Sequence, residues 1–185
     1  MTVIRKSCRA LILAGILFFV FTSCEPGSET REHYLARDHA SRVTAPGLKN
    51  FYRVSKSLYR GAQPGPEGFP ELKKRGIKTI VNLRTSNSDR GRADKYGIAG
   101  VHIPVNASSP RKEDFAVFLK IATDPARQPV FVHCRHGADR TGAAVALYRI
   151  YVQGWTKDEA IEEMTRGGYG FHALFSSLKD FIRKF

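Results

Sequence analysis

Between Pro129 and Gln153 the chain changes character twice within a few residues. Pro129–His133 is a short apolar run, Pro-Val-Phe-Val-His, and a stretch rich in small apolar residues (Ala143, Ala144, Ala146) runs on to Gln153. A continuous apolar run of that length reads as a strand buried on both faces, which requires a sheet covered by helices. The small-residue stretch reads as a helix over 140–153, able to lie close against that sheet. The loop from His133 to Gly142 joins them, with Gly137 near its middle. A strand that feeds a helix through a short loop is the unit of parallel α/β folds.

The rest of the chain repeats the alternation. Short strands are expected over 51–54 and 57–59, then a Pro/Gly-rich turn and a helix ending at Lys73-Lys74-Arg75-Gly76, where cations and Gly suit a helix C-terminus. Strands follow over 77–83 and 100–105. Pro110 opens a helix whose stripe is Phe115, Phe118, Leu119 and Ala122, and helices are expected over 156–166 and 171–185. Thr156 and Glu159 have capping-box spacing. The expected fold is a single α/β domain over 51–185, a central mostly parallel sheet flanked by helices. Ligands on such sheets bind at the C-terminal strand ends, which singles out the loop after His133.

The N-terminus is an address. Arg5, Lys6 and Arg9 precede an apolar run from Ala10 to Phe21, 12 residues long. Crossing a hydrocarbon core as a helix takes about 20 residues, so the pattern is that of a secretory signal. Phe21-Thr22-Ser23-Cys24 resembles a bacterial lipobox, although Phe21 stands where Leu is usual. Residues 1–23 are therefore expected to be removed and Cys24 lipidated, giving an exported lipoprotein anchored on the periplasmic or cell-surface side. Residues 24–50 are polar, carry Pro26, Gly27, Pro46 and Gly47, and read as a flexible tether.

Three cysteines do not make a disulfide framework. Cys8 leaves with the signal and Cys24 carries lipid, so Cys134 remains a lone thiol in an oxidising compartment, which calls for a chemical reason. The formal charge of +13 calls for an anionic partner, surface or substrate. With no aromatic-interleaved basic strand and no recognition helix, nucleic acid is not that partner. Nothing in the sequence speaks to oligomeric state.

The loop reads His133-Cys134-Arg135-His136-Gly137-Ala138-Asp139-Arg140-Thr141-Gly142. Its backbone N–H groups and the positive end of the next helix make an anion-binding nest. Gly137 allows backbone conformations closed to other residues. Arg140 offers a planar fork for two phosphate oxygens. The same field favours the thiolate of Cys134, which places a nucleophile inside a phosphate cradle. A cysteinyl-phosphate intermediate, later hydrolysed, is the expected chemistry. Thr141 is placed to donate its hydroxyl to the departing sulfur, His133 to brace the loop, and Arg135 to Arg140 to bind the substrate phosphate.

This segment resembles the His-Cys-x5-Arg-Ser/Thr signature of the protein tyrosine phosphatase superfamily, and within it the dual-specificity-like branch. Leu58-Tyr59-Arg60-Gly61-Ala62-Gln63-Pro64, Val81-Asn82-Leu83-Arg84 and Ile103-Pro104-Val105 extend the likeness over Phe51–Phe185. The resemblance implies a phosphatase that needs no metal or other cofactor, with Cys134 as nucleophile and Arg140 as phosphate binder. Its substrate would be a phosphorylated protein or a small-molecule phosphate, and the N-terminal lipid would hold it at a membrane. Two other readings stand beside this one: an inositol polyphosphate or pyrophosphate phosphatase, and a catalytically inactive phosphate-binding module.

The family usually carries an Asp general acid on a separate loop. Here Asn106 occupies that place, and Asn has no titratable proton to give. Asp139, inside the catalytic loop, stands where myotubularin-like members carry a proposed acid, and a carboxylate beside a bound phosphate dianion holds its proton more readily. Glu113 and Asp114 are the alternatives, though the first turn of a helix favours acids for its dipole alone. Arg90, Arg92, Arg111 and Lys112 either approach the same end of the sheet or form a solvated basic surface. Tyr169 and its flanking glycines either line the site or only connect two helices.

Overall fold

The structure, a computed structural model, describes residues 28–86, 89 and 91–185. The expected signal segment, Cys24 and Arg90 lie outside the described residues. No helix among the described residues is long and apolar enough to cross a membrane. Ser28–Leu35 is helical (α1) and belongs to a unit separate from the α/β domain, which spans Asp38–Phe185.

Six strands form one sheet: β1 (Ser41–Arg42), β2 (Tyr52–Arg53), β3 (Leu58–Gly61), β4 (Thr79–Asn82), β5 (Ala99–His102) and β6 (Val130–His133). Their spatial order is β1-β2-β3-β6-β4-β5. β1, β2 and β3 pair antiparallel, whereas β3, β6, β4 and β5 run parallel. The expected α/β architecture is the one observed, with β6 at its centre. The strand expected over 100–105 lies earlier, at β5, because Pro104 cannot donate to a ladder.

Side-chain alternation sorts the two sheet faces. Ile80 and Phe131 join Phe69, Leu72 and Phe51 in one core. Val81, Val130 and Val132 join Phe115, Phe118, Leu147 and Leu178 in the other. α2 (Gly68–Lys74) covers the first face; α3 (Lys112–Thr123), α4 (Asp139–Gln153), α5 (Lys157–Arg166) and α6 (Ser177–Lys184) build the second. α4 is the central helix, with Ala143 to Tyr148 all buried. A helix apolar on every side has no solvent face to present. The expected Thr156–Glu159 capping box opens α5.

Two expectations need correction. The domain does not begin at Phe51, and residues 38–50 are not a free tether. Ser41–Arg42 pair with Tyr52–Arg53, Leu48 is buried, and the Ala40 N–H donates to Glu163 at 3.1 Å. These anchors are single contacts with distant partners, so the local sequence shows no periodicity to reveal them. Residues 171–185 are also not one helix. A 3₁₀ turn at Ala173–Phe175 precedes α6, and Leu174 points outward, 85% exposed.

Candidate active site

His133 lies level with Gly61 of β3 and Asn82 of β4, so three parallel strands end together. The loops leaving them meet at one place. Cys134 is the first residue beyond β6, 2% exposed, and forms no disulfide among the described residues. Asp139 is the first residue of α4, so Arg140 and Thr141 lie in the first turn of that helix.

The loop between is held from several sides. Gly137 has φ +73°, and a Cβ there would collide with the backbone of Gly61 and Ala62. Only glycine satisfies both conditions. The Gln63 N–H donates to the Arg135 carbonyl at 3.2 Å. Asn50, itself at φ +50°, donates from Nδ2 to the carbonyls of His136 and Tyr169, each at 2.9 Å. One amide thus ties the catalytic loop to the segment after α5.

His133 braces the loop from inside. It is fully buried, and its Nδ1 donates to the Cys134 carbonyl at 3.0 Å. Its Nε2 lies 2.9 Å from Asp89 Oδ2, within ion-pair reach though off the line of a straight hydrogen bond. Asp89, 6% exposed, also accepts from Asn82 Nδ2 at 2.8 Å and Gln63 Nε2 at 3.4 Å. Sequence reasoning passes over Asp89 because it stands in a polar loop with no motif around it.

Arg60 is the second residue it misses, although it stands within a segment that carries the family resemblance. The side chain is fully buried, and Nη2 donates to the Gly137 carbonyl at 2.8 Å. Its Nε and Nη1 have no hydrogen-bond partner among the described residues, and the guanidinium carbon sits 3.8 Å from the centre of the Tyr169 ring. Burial pushes Arg60 below its ordinary range, against the attraction of Tyr169, Glu163 and Cys134. An arginine stays charged even so. A largely uncompensated cation therefore stands behind the loop that carries Cys134. Burial, and after it the Glu163 carboxylate, pushes the Tyr169 phenol above its usual range, so it remains a neutral donor to Glu163 Oε1 at 3.4 Å.

The other expected residues fall as follows. Arg140 is half-buried; Nη1 makes one long bond, 3.4 Å, to the Leu83 carbonyl, and the rest of its fork has no bond to the described residues. Thr141 is fully buried, and its Oγ1 has no hydrogen-bond partner among the described residues. Arg135 and His136 are exposed on the rim, while Gly137 and Ala138 are buried. Arg135 and His136 edge a cleft of about 590 Å³ that is also lined by Lys49, Leu48 and Gln63.

Asp139 is 5% exposed, and its carboxylate is engaged: Oδ1 accepts from the His172 N–H at 2.8 Å, and His172 Nδ1 lies 3.0 Å from Oδ2. Of the alternative acids, Asp114 is clasped by Arg111 through two bonds, 2.6 and 3.1 Å, and Glu113 is exposed. Asn106 Oδ1 accepts from the Ser108 N–H at 3.0 Å, closing a local turn. Arg111 is thus committed to its own helix, Lys112 lies over the Phe185 ring, and Arg92 is exposed.

Comparison with known proteins agrees with this architecture. Residues 44–177 match a family described as DSP-PTPase phosphatase fused to NAD+ kinase. The dual specificity protein phosphatase TpbA of Pseudomonas aeruginosa strain UCBPP-PA14 is 38% identical over 122 residues, 65% of this chain and 56% of that protein. The inositol diphosphatase DSP3 of Arabidopsis thaliana is 31% identical over 137 residues, 68% of this chain and 65% of that protein. The chain thus spans a little over half to two thirds of the length of these relatives. A crystal structure of a Cys-to-Ser variant of P. aeruginosa TpbA in complex with phosphotyrosine superposes with a TM-score of 0.65 at 28% identity, covering 81% of this chain and 99% of that one. The match takes in Cys134 at the end of β6, the braced loop and Arg140 in the first turn of α4, and the chain belongs to the dual-specificity-type protein tyrosine phosphatase family.

Proposed function

We propose that this protein hydrolyses phosphate monoesters of the phosphotyrosine type through a cysteinyl-phosphate intermediate. The observation that carries the reading is a buried Cys134 at the C-terminal end of the central strand, followed by a loop that Arg60, Asn50 and His133 hold in shape. The Cys134 thiolate attacks phosphorus as the bond to the leaving oxygen breaks. Asp139 supplies a proton to that oxygen, and Arg140 with the loop N–H groups holds the equatorial oxygens. Water then attacks phosphorus and the S–P bond breaks. The unpartnered Thr141 hydroxyl donates to the departing sulfur; a buried hydroxyl left unpaired costs about 1–3 kcal/mol, which this step explains.

The full chain is expected to turn over an aryl phosphate and phosphotyrosine peptides, and Cys134→Ser to abolish turnover while keeping phosphate binding. A wild-type chain that binds phosphate without turnover would instead be an inactive module. Asp139→Asn is expected to slow alkyl phosphates far more than aryl phosphates with good leaving groups; equal losses would make Asp139 a loop-shaping residue.

A second reading, an inositol polyphosphate or pyrophosphate phosphatase, is favoured by Lys49, Arg135 and His136 around the rim cleft and by the likeness to DSP3. Comparing kcat/KM on phosphopeptides and inositol phosphates separates the two. We also propose export as a lipoprotein, supported by the basic patch, the apolar run and Thr22-Ser23-Cys24. Labelled palmitate should enter the chain and be lost with Cys24→Ala.

A further inference from the structure

Beside the catalytic loop, three groups converge that cysteinyl-phosphate chemistry does not require as a set. His136, Asp139 and His172 each place one ligand atom within 4.8 Å of the other two. They come from three places in the chain: the loop itself, the first residue of α4, and the segment between α5 and the 3₁₀ turn. Asp139 is buried, and the His172 N–H fixes its Oδ1 at 2.8 Å. Oδ2 then lies 3.0 Å from His172 Nδ1. The His136 ring has no hydrogen-bond partner among the described residues; it tilts against the His172 ring with centroids 5.5 Å apart.

A four-coordinate cation with bonds of about 2.0–2.1 Å sets its ligand atoms about 3.3 Å apart. The His172–Asp139 pair is already near that spacing. His136 is exposed and the His172 side chain is 51% exposed, so small ring rotations can close the rest. The backbone bond to Oδ1 is the kind of outer contact that orients a ligating carboxylate. Two imidazoles and one carboxylate suit zinc, copper, nickel or cobalt rather than magnesium or calcium.

We propose that His136, Asp139 and His172 form a binding site for a borderline divalent cation such as Zn²⁺, and that its occupation switches the enzyme off. The site itself is independent of the phosphatase reading; only the switch rests on it. A carboxylate committed to a cation cannot hold a proton for a leaving group. A cation bridging Asp139 and His136 also ties together both sides of Gly137, in a loop that must close on phosphate.

Binding is tested with Co²⁺ on the full chain carrying Cys134→Ser. Visible d–d bands should saturate at one equivalent, without the near-ultraviolet band of a thiolate ligand, and Zn²⁺ should displace them. His136→Ala and His172→Ala, which remove direct ligands, should each weaken binding by more than the roughly 10- to 100-fold that loss of an outer contact costs. No saturable binding, a thiolate band, or indifference to both substitutions overturns the site. The switch is tested on wild-type turnover of an aryl phosphate. Zn²⁺ should inhibit, a chelator should restore the rate, and His172→Gln, which keeps a donor for Asp139 but ligates poorly, should relieve the inhibition. Inhibition unchanged in His172→Gln and His136→Ala overturns the switch. A chain with no turnover in metal-free buffer breaks the phosphatase reading, while the cobalt titration still decides the site.

Discussion

Two arginines, Arg60 and Arg149, are fully buried in the same domain, each with its guanidinium over an aromatic ring. Arg149 is satisfied. Nε and Nη2 grip the two oxygens of Glu163 at 2.8 and 2.6 Å, and Nη1 reaches Gln153 and the Val54 carbonyl. Arg60 makes one hydrogen bond and leaves two nitrogens without any. A buried charge with matched partners contributes to structure, whereas one left under-compensated is a source of field. The first joins α4 to α5; the second stands behind the loop that carries Cys134, where the proposed chemistry needs a positive field. Similar burial thus serves two ends, and the hydrogen-bond inventory tells them apart.

The largest expected effect comes from exchanging the two losses. Arg149→Met takes from the buried Glu163 its bidentate cation, leaving it only the Ala40 N–H, the Tyr169 hydroxyl and the more distant Arg60, and should lower unfolding free energy by about 3–5 kcal/mol, with kcat/KM of the folded protein nearly unchanged. Arg60→Met should do the reverse. Denaturation should show a cost of about 1–3 kcal/mol for the orphaned Gly137 carbonyl, while kcat/KM falls by about 10²-fold. If both variants lose stability alike and both keep turnover, the distinction fails.

A smaller effect sharpens the structural side. Burial alone would raise Glu163, but the Arg149 fork, the Ala40 N–H and Arg60 hold it below the ordinary carboxylate range. A depressed carboxylate contributes stability that is complete above the unfolded value and is lost as pH falls through the folded one. Thermal melts of the wild type should therefore decline below about pH 4.5. Glu163→Gln should flatten that limb while lowering stability at neutral pH.

The smallest effect sharpens the catalytic side. Asn50→Ala removes both bonds between the His136 and Tyr169 carbonyls, which lie on accessible loops where water can replace it. About 0.5–1.5 kcal/mol per bond is the expected stability change. The loss in kcat/KM should be several-fold, confined to kcat if loop shape is what Asn50 maintains.

What the sequence shows and what it hides divide along the range of the interactions. The strand–loop–helix from Val130 to Gln153 is readable because each residue there answers to its immediate neighbours: an apolar run, a glycine turn, a small-faced helix. The capping box of α5 is local in the same way. Asn50, Asp89, Arg60 and His172 meet partners far along the chain, and nothing beside them announces it. Asn50 stands 86 residues from His136, and Arg60 77 residues from Gly137. For the same reason the domain boundary reads as 51 when the sheet reaches back to Ser41. The continuous helix expected over 171–185 fails because the stripe is buried only from Leu178 onward; in the 3₁₀ turn before α6, Leu174 is exposed and Phe175 only partly covered.

The Asn50 side-chain amide has two hydrogens, and it gives one to each of two loops. Neither loop can drift outward by a few tenths of an ångström without straining the grip on its neighbour. The loop after β6 and the segment after α5 thus share one anchor, and whatever frees the Asn50 side chain loosens both at once.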